Sequence, residues 1–323
     1  MNRAVVTGVA GFIGSHLAEA LLRRGWEVVG VDNMLDYYPR ELKEWNLHRL
    51  QEHPRFRWFE TDVRTFPWEE WVDGDTTVFH LAAQPGVRRS WGEHFRYYID
   101  HNIAATQAVL EALKTHRPHR LIYASTSSVY GQCPEIPFRE DSPLLPISPY
   151  GVTKLTAEHL VRMYGQQYDI PYVILRYFTV YGPRQRPDMA FYRFMYAIRS
   201  GRSVRIYGDG RQTRDFTFVG DAVDGTIRAA LYAPDRAVYN IGGGSRASVR
   251  TVLGILAQIT GRTLKFEWAP PAPGDMRDTW ADIRRAVEDF GYTPQTSLSE
   301  GLRQQWEWFC RMWDRQLVFA WQE

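Results

Sequence analysis

A glycine-rich turn between the first strand-like and the first helix-like segment constrains the fold of this chain most strongly. The segment Arg3–Thr7 (RAVVT) has the apolar pattern of a buried strand, and Ile13–Arg24 has the period of a helix that stops at Gly25. Glycines at such a turn let the pyrophosphate of a dinucleotide approach the free N–H groups that begin the helix. The sequence therefore predicts a dinucleotide site here, formed by Gly8, Gly11, Phe12, Ile13 and Gly14.

An acidic residue after the second predicted strand supports this interpretation. Asp32 directly follows Trp26–Val31 (WEVVGV), about twenty residues beyond the glycines, where a dinucleotide-binding fold places a ribose-binding carboxylate. Such a carboxylate accepts hydrogen bonds from the ribose hydroxyls and repels a 2′-phosphate. Asp32 therefore predicts NAD rather than NADP as the cofactor.

Strand-like and helix-like segments alternate through the first half of the chain. Apolar strands separated by helices indicate a parallel sheet covered on both faces, so we expect an α/β fold, with a doubly wound parallel sheet of the Rossmann type. After about residue 178 the chain becomes rich in Gly, Pro and Arg, as suits a smaller domain that closes over a ligand. We predict a first domain over 1–177, to which 216–241 returns, and a smaller α/β substrate domain over 178–323. The further predicted strands are Phe56–Glu60, Thr77–Leu81, Arg120–Ala124, Tyr172–Tyr177 and Val238–Ile241, and the further helices are His101–His116 and one that begins near Pro149.

Composition argues against several classes of protein. The 39 basic and 37 acidic residues give a net charge of +2, so nucleic acid or a membrane surface is not the expected partner. The two cysteines, Cys133 and Cys310, are far apart and have no metal-ligand spacing; no metal site is predicted, and a reducing cytoplasm fits. No apolar run reaches the ~18 residues of a membrane span, and the start MNRAVVTG leaves no room for a signal peptide.

A Tyr-x-x-x-Lys pair lies at the start of a predicted helix. Ser148 and Pro149 have the pattern of an N-cap and first helical residue, so Tyr150 and Lys154 share one face, one turn apart. The positive helix end and the ammonium both favour a phenolate. The sequence therefore predicts that Tyr150 acts as an acid and base near neutral pH.

Together these motifs resemble the extended short-chain dehydrogenase/reductases, and in particular their nucleotide-sugar epimerase/dehydratase group. The resemblance covers nearly the whole chain: TGxxGxxG, Asp32, ETDVR, HLAA, STSSVYG, the Tyr150/Lys154 pair, RYFTVYGPRQRPDM and GDGRQTRDFTFVGD occur in the expected order. It implies tightly held NAD, a C-terminal domain for a nucleotide diphosphate sugar, and a homodimer through helices near 101–116 and 149–165. It also implies further cofactor contacts at Asn33, Asp62, Val63, Leu81, Ala82, Ala83 and Ser125, besides Tyr150 and Lys154.

The run of hydroxyl residues after the strand Arg120–Ala124 limits which reactions of the family this chain can carry out. By resemblance, Thr126 hydrogen-bonds the sugar hydroxyl that is oxidised. The dehydratases of the family carry an Asp-Glu pair after that hydroxyl, and its uronate decarboxylases carry Glu at position 128, whereas this chain has Ser127 and Ser128. Because no carboxylate is present to drive elimination, the run is expected to be a neutral polar pocket.

Several segments resemble the UDP-glucuronate 4-epimerases more than the UDP-galactose 4-epimerases, which usually carry Asn in place of Thr179. We expect Ser127, Ser128, Thr179 and Arg186 to bind a uronate carboxylate. Arg214 and Arg277 are the candidates for the two phosphates of UDP, because a guanidinium can bind such oxygens in a bidentate manner. The expected reaction is 4-epimerisation of UDP-glucuronate to UDP-galacturonate through a 4-keto sugar. The segments that resemble the UDP-glucuronate 4-epimerases are LDYYPRELKEWNL, LAAQPGVRRS and RYFTVYGPRQRPDMA.

Three alternatives remain at this stage. A 4-epimerase of a neutral UDP-hexose (UDP-glucose, UDP-galactose or an N-acetyl form) comes first, and a UDP-glucuronate decarboxylase second. A non-catalytic NAD-sensing scaffold comes last, because a sensor needs neither Tyr150 nor Lys154. One further segment is expected to form a packed amphipathic helix rather than a partner-binding one: Trp306, Phe309, Cys310, Trp313 and Leu317 recur in it at helical spacing.

Overall fold

The computed structural model describes residues 2–321 and contains a central parallel sheet of seven strands. Each pair of neighbouring strands in this sheet is parallel, in the order β11-β6-β5-β4-β1-β2-β3. The order reverses between β1 and β4, as in a doubly wound sheet. The strands are β1 (Arg3–Thr7), β2 (Glu27–Asp32), β3 (Phe56–Glu60), β4 (Thr76–His80), β5 (Arg120–Thr126), β6 (Tyr172–Tyr177) and β11 (Ala237–Ile241).

Helices cover both faces of this sheet, and this confirms the predicted α/β fold. On β1, Ala4 and Val6 pack into the cluster that includes helices α1 (Phe12–Arg23) and α8 (Val219–Tyr232). Val5 packs into the cluster that includes helices α5 (Ala105–Thr115) and α6 (Pro149–Gln167). Alternate residues of β1 thus pack into two separate hydrophobic cores, one on each face of the sheet. The helices are α1 (Phe12–Arg23), α2 (Arg40–Gln51), α3 (Trp68–Trp71), α4 (Phe95–Tyr98), α5 (Ala105–Thr115), α6 (Pro149–Gln167), α7 (Ala190–Ser200), α8 (Val219–Tyr232), α9 (Val249–Thr260), α10 (Arg284–Phe290) and α11 (Leu298–Asp314).

The second half of the chain adds three two-stranded sheets and supplies most of a further core, to which Tyr38 and Leu42 of the first half also belong. Strands β7 and β10, and likewise β8 and β13, pair in parallel, while β9 and β12 pair antiparallel. Aromatic residues of α7 and α11 pack together in this core. The division into two domains at residue 177 stays a prediction. The six strands are β7 (Val180–Tyr181), β8 (Val204–Tyr207), β9 (Thr213–Asp215), β10 (Thr217–Phe218), β12 (Arg246–Ser248) and β13 (Phe266–Ala269).

One predicted helix has different bounds in the structure. The sequence predicted a helix over His101–His116, but the helical segment begins with α4 at Phe95 and passes through a π-helical stretch, Ile99–Ala104, before α5. A π turn shifts the position of the side chains, so the 3.6-residue period is broken there. The prediction of the start was therefore wrong, while the end agrees within one residue.

The C-terminal segment is a packed amphipathic helix, as predicted. In α11 the buried side chains include Trp308, Phe309 and Met312, whereas Trp306 and Trp313 are only partly buried. The helix ends at Asp314, so Leu317 lies beyond it. Within residues 2–321, no helix is long and apolar enough to cross a membrane.

Candidate active site

A cleft of about 410 Å³ opens at the carboxyl ends of the strands, where the strand order reverses. This is the position at which doubly wound sheets bind ligands. All the predicted cofactor residues line it, from the glycine turn through Asp32 and Asp62 to Ser125, Tyr150 and Lys154. Of the predicted substrate residues, all but Arg277 line it as well: Thr126, Ser127, Ser128, Thr179, Arg186 and Arg214.

The glycine turn is packed so closely against its own backbone and the loop after β4 that it has no room for a Cβ at Gly8 or Gly14. Gly8 has φ +72°, and a Cβ there would lie 2.9 Å from the backbone N of Ala82; a Cβ on Gly14 would lie 2.2 Å from the carbonyl O of Gly8. The N-cap of α1 is Gly11, and no side chain caps the helix. The bare backbone and the positive helix end therefore fit the pyrophosphate of a dinucleotide.

Asp32 lies at the end of β2 and is held by two backbone N–H groups. Oδ2 accepts from Ala10 N at 3.1 Å and Oδ1 from Met34 N at 2.9 Å. Burial raises the pKa of Asp32, while the charge of Lys43 and these two bonds lower it. The carboxylate keeps unused lone pairs for ribose hydroxyls, which fits NAD.

Asp62 is fixed at the same edge of the cleft. Its carboxylate accepts a bidentate pair of hydrogen bonds from the Arg64 guanidinium, at 2.7 and 2.8 Å, and a further bond from Asn33 Nδ2 at 3.1 Å. The bond from Arg64 lowers the pKa of Asp62 to about 2. Asp62 therefore stays ionised, and most of its charge is compensated by Arg64.

Tyr150 lies in the first turn of α6, next to Thr126. The N-cap Ser148 accepts a hydrogen bond from Gly151 N, and Pro149 is the first helical residue, as predicted. Burial raises the pKa of Tyr150, while the charge of Arg186 and a hydrogen bond with Thr126 lower it. Burial is the largest of these effects, and it opposes the helix end and the ammonium that the sequence suggested would favour the phenolate. The role of Tyr150 as acid and base stays a prediction.

Lys154 is buried one turn further along α6. Its Nζ lies 4.4 Å from the centre of the Tyr123 ring. Burial lowers the pKa of Lys154 to about 7, and the charge of Glu158 opposes this shift. Burial and the carboxylate of Glu158 therefore act on the charge of Lys154 in opposite directions.

The hydroxyl run is partly a continuation of β5. The strand extends to Thr126, two residues past its predicted end, and Ser127–Val129 form a 3₁₀ turn. Ser125 and Ser127 are buried, whereas Thr126 and Ser128 are half-buried. Thr126 Oγ1 accepts from Ser128 N at 3.2 Å. All four hydroxyls line the cleft, so the run is a polar lining of the cleft and not a solvated loop.

Arg186 has a partner that the sequence analysis did not assign. Its Nε and Nη2 both donate to the carboxylate of Asp188 at 3.0 Å, and Asp188 also accepts from Tyr37 Oη at 3.3 Å. Asp188 compensates much of the charge of Arg186. A ligand carboxylate would therefore have to use Nη1 and the second N–H of Nη2, or displace Asp188.

The two arginines proposed for the phosphates lie in different places. Arg214 lines the cleft, and its Nη1 donates to the carbonyls of Thr213 and Arg277. The side chain of Arg277 is 70% exposed and pairs with Asp209 at 3.6 Å. The structure thus places Arg214, but not the Arg277 side chain, in the cleft.

A buried asparagine that sequence reasoning missed connects the parts of the site. Asn102, in the π-helical stretch, accepts from Gln84 N at 2.7 Å and donates to Gln84 O and to Thr153 Oγ1. It fixes the loop after β4 against α6. A π turn next to a cleft is a frequent sign of a functional site, but the sequence alone showed no such turn.

The fold and the cleft define a dinucleotide-binding protein of the Rossmann type in which a Tyr-Lys pair lines the cleft. The chain belongs to the NAD dependent epimerase/dehydratase family, whose model matches residues 4–242. The resemblance found in the motifs is thereby confirmed.

Similar proteins include epimerases with different sugars in their names. The chain is 46% identical over 303 residues to a Bacillus subtilis (strain 168) protein named uncharacterized UDP-glucose epimerase YtcB, with 93% of this chain and 95% of that protein covered. It is 40% identical to the UDP-glucuronate 4-epimerase of Thermodesulfobacterium geofontis, with 95% and 96% covered. The crystal structure of UDP-glucuronic acid 4-epimerase from Bacillus cereus, in complex with UDP-glucuronic acid and NAD, matches with a TM-score of 0.93, at 42% identity, over 96% of this chain and 99% of that one.

Proposed function

We propose that this chain interconverts UDP-glucuronate and UDP-galacturonate. It is an NAD-using nucleotide-sugar 4-epimerase, hence an isomerase, by its family and its relatives. The observation that carries the choice of sugar is the lining beside Tyr150: Ser127, Ser128 and Thr179 face the cleft together with Arg186. Neutral hydroxyls and a guanidinium can bind a carboxylate, whereas a Glu at position 128 would repel it.

The residues of the chain supply the proton transfer and the binding. NAD, when bound, accepts a hydride from C4 of the sugar and returns it. Tyr150 Oη takes the proton of the 4-hydroxyl, which leaves a 4-keto sugar, and later gives the proton back. Thr126 orients that hydroxyl and Arg214 holds the diphosphate, so the sugar can turn over while UDP stays anchored. The charge of Arg186 and the hydrogen bond with Thr126 favour the phenolate, and we infer the same role for protonated Lys154, one helical turn from Tyr150.

A neutral UDP-hexose is the second candidate substrate, and one observation favours it. Because Asp188 already compensates Arg186, the cleft has less attraction for an anionic sugar than the arginine alone would give. A relative named as a UDP-glucose epimerase fits this candidate.

The test is incubation of the purified protein with NAD and either UDP-glucuronate or UDP-glucose. We expect UDP-galacturonate from the first, with a kcat/KM at least about tenfold above that for UDP-glucose, which corresponds to about 1.4 kcal/mol. Faster conversion of UDP-glucose would reverse the choice of sugar. Carbon dioxide with a UDP-pentose as the main product would indicate a decarboxylase, and no conversion of either sugar would indicate a scaffold.

We also propose a cytoplasmic homodimer. The helical segment from Phe95 and the helix α6 expose apolar side chains: Phe95, Tyr97, Ile99, Val152 and Met163. Such a patch is typical of an interface, and the free Cys133 and Cys310 fit a reducing compartment. Light scattering is expected to give twice the chain mass, and Tyr97→Glu to give a monomer. Tyr232→Glu, at an exposed site on α8, is the control. A monomeric wild-type chain would refute the dimer.

A further inference from the structure

A buried ion pair lies directly behind the Tyr-Lys helix face. Glu158 is one turn beyond Lys154 on α6, so the two side chains are neighbours on one face. Its carboxylate accepts from Arg176 Nε at 3.0 Å and Nη2 at 2.9 Å, and both residues are 0% exposed. Neither residue lines the cleft, and no step of the proposed reaction uses either of them.

The carboxylate also determines how one cleft residue can hydrogen-bond. Ser125 Oγ donates to Glu158 Oε1 at 2.5 Å, and a serine hydroxyl has a single proton. Since this proton is used, Ser125 can only accept a hydrogen bond from the cleft side. Ser125 is paired with Arg176 in the register of β5 and β6, so the ion pair and the hydroxyl are held by the same part of the sheet.

Arg176 is itself fixed, and it therefore holds Glu158 in one place. Its Nη1 donates to Tyr130 Oη at 2.9 Å and to the carbonyl of Glu140 at 3.0 Å. Tyr130 Oη in turn donates to Asn240 Oδ1 on β11 at 2.7 Å. The network extends from α6 across the sheet to its last strand, and every polar group named in it has a partner.

Lys154 faces few groups that can carry charge. On its own helix these are Tyr150 and Glu158, and from the sheet they are His80 on β4 and Tyr123 on β5. Two arginines contact Glu158: Arg176 on β6 and Arg162 on α6 at 3.7 Å. From the helical segment packed against α6, Tyr98 contacts Tyr150 edge to face, and His101 lines the cleft. Among these groups, Glu158 is the only carboxylic acid. Its charge opposes the lowering of the Lys154 pKa by burial.

We propose that Glu158, fixed by Arg176, is a positioning residue that keeps Lys154 in its ammonium form and turns the hydroxyl of Ser125 into an acceptor toward the cleft. This inference rests on the proposed role of Lys154 in 4-epimerisation. Removing the carboxylate takes away the negative charge that opposes the lowering of the Lys154 pKa by burial, and it leaves Arg176 without its carboxylate partner. Both changes disfavour the ammonium.

The experiment measures the charge of Lys154 directly. The chain has four lysines, Lys43, Lys114, Lys154 and Lys265, so labelling with ¹³C-lysine gives few resonances, each assignable by a Lys→Arg variant. The protein is titrated by NMR as wild type, as Glu158→Gln and as Asp221→Asn. Asp221 is a matched control, because its buried carboxylate accepts from Gln295 N and Thr296 N and does not line the cleft.

We expect the midpoint of the Lys154 titration to fall by about 1 pH unit or more in Glu158→Gln and to stay at its wild-type value in Asp221→Asn. The decline of kcat on the alkaline side should move down by the same interval, with little change in KM. An unchanged Lys154 midpoint in Glu158→Gln would overturn the proposal.

A second variant distinguishes a positioning role of Glu158 from a purely structural role of the ion pair. Glu158→Gln leaves Arg176 buried without its partner and could unfold the chain, whereas Glu158→Gln/Arg176→Met removes both charges. If the pair only stabilises the fold, Lys154 in the double variant should titrate with the wild-type midpoint, and this result would refute the positioning role of Glu158. A lowered midpoint in the double variant supports that role. If wild type converts no UDP-sugar, the proposed function fails, while the NMR titration still decides whether Glu158 controls Lys154.

Discussion

Thr7 and His80, at the carboxyl ends of β1 and β4, are joined by a hydrogen bond of 2.8 Å between Oγ1 and Nδ1. The neighbouring bonds fix the proton positions. Thr106 Oγ1 donates to Asn102 O, so it must accept from His80 Nε2. Nδ1 then accepts from Thr7, whose Oγ1 accepts in turn from the N–H groups of Leu81 and Ala82. A neutral histidine thus holds the loop that lines the cofactor side of the cleft.

This arrangement predicts a loss of stability in mild acid. Burial lowers the pKa of His80 from 6.5 to about 3, so below pH 6.5 the unfolded chain binds a proton that the folded chain does not. Stability is therefore retained above pH 6.5 and falls as the pH falls. His80 alone should contribute a loss of about 2 kcal/mol between pH 6.5 and pH 5.

The measurement is urea unfolding at several pH values. His80→Gln should show a shallower pH slope than wild type, and His48→Gln, at an exposed site on α2, should keep the wild-type slope. Burial also lowers the pKa of His16 to about 4, so part of the slope remains in His80→Gln. Equal slopes in wild type and His80→Gln would contradict the assignment of His80.

Tyr150→Phe is expected to remove the acid and base. Loss of one well-placed group of this kind typically costs ~100-fold or more in turnover, while NAD and UDP-sugar binding, measured by calorimetry, should stay close to wild type. Tyr232→Phe changes an exposed tyrosine and serves as the control. Near-normal turnover of Tyr150→Phe would show that another group moves the proton.

The position of Asp32 predicts cofactor preference. A 2′-phosphate would meet this carboxylate at the end of β2, so we expect NAD to bind about tenfold or more tightly than NADP, equivalent to about 1.4 kcal/mol. Asp32→Asn should reduce the difference between the affinities for NAD and NADP, because the neutral amide does not repel the 2′-phosphate. Asp36→Asn, at an exposed position nearby, should leave it unchanged. Comparable affinities of wild type for both cofactors would refute this role.

The sequence was most informative where one local pattern determines one element. The strands Arg3–Thr7, Phe56–Glu60 and Tyr172–Tyr177 were predicted with their observed bounds. For the first and third, mostly apolar runs between turns are typical of buried parallel strands, whereas Phe56–Glu60 is a mainly half-exposed strand at the edge of the sheet. The helix start at Phe95 was missed because the π turn interrupts the period.

Partners in the site were harder to predict than the site residues themselves. Glu158 is visible from its spacing to Lys154, but its pairing with Arg176 depends on how β6 lies against α6. Asp188 is two residues from Arg186, yet only the fold of the loop brings their charges together. The charges of the cleft therefore depend on tertiary contacts that motif spacing does not encode.

The last prediction concerns the 4-keto intermediate of a uronate. It is a β-keto acid and loses carbon dioxide fastest when the bond to the carboxylate is perpendicular to the plane of the new carbonyl, since the electrons can then enter its π system. An epimerase must hold the carboxylate out of this alignment while the ring turns over. The hydroxyls of Ser127, Ser128 and Thr179 line the cleft and are the groups proposed to do this.

Each such hydrogen bond is worth ~1 kcal/mol net, and more when it is charge-assisted, so two bonds bias the orientation by about tenfold or more. Ser128→Ala and Thr179→Ala should therefore raise the ratio of decarboxylation to epimerisation and lower the overall rate. The quantities measured are carbon dioxide and UDP-pentose formed per UDP-galacturonate. Thr156→Ala, on the same helix as Tyr150 but outside the cleft lining, is the control. An unchanged ratio in both variants would mean that these hydroxyls bind the sugar without protecting the intermediate.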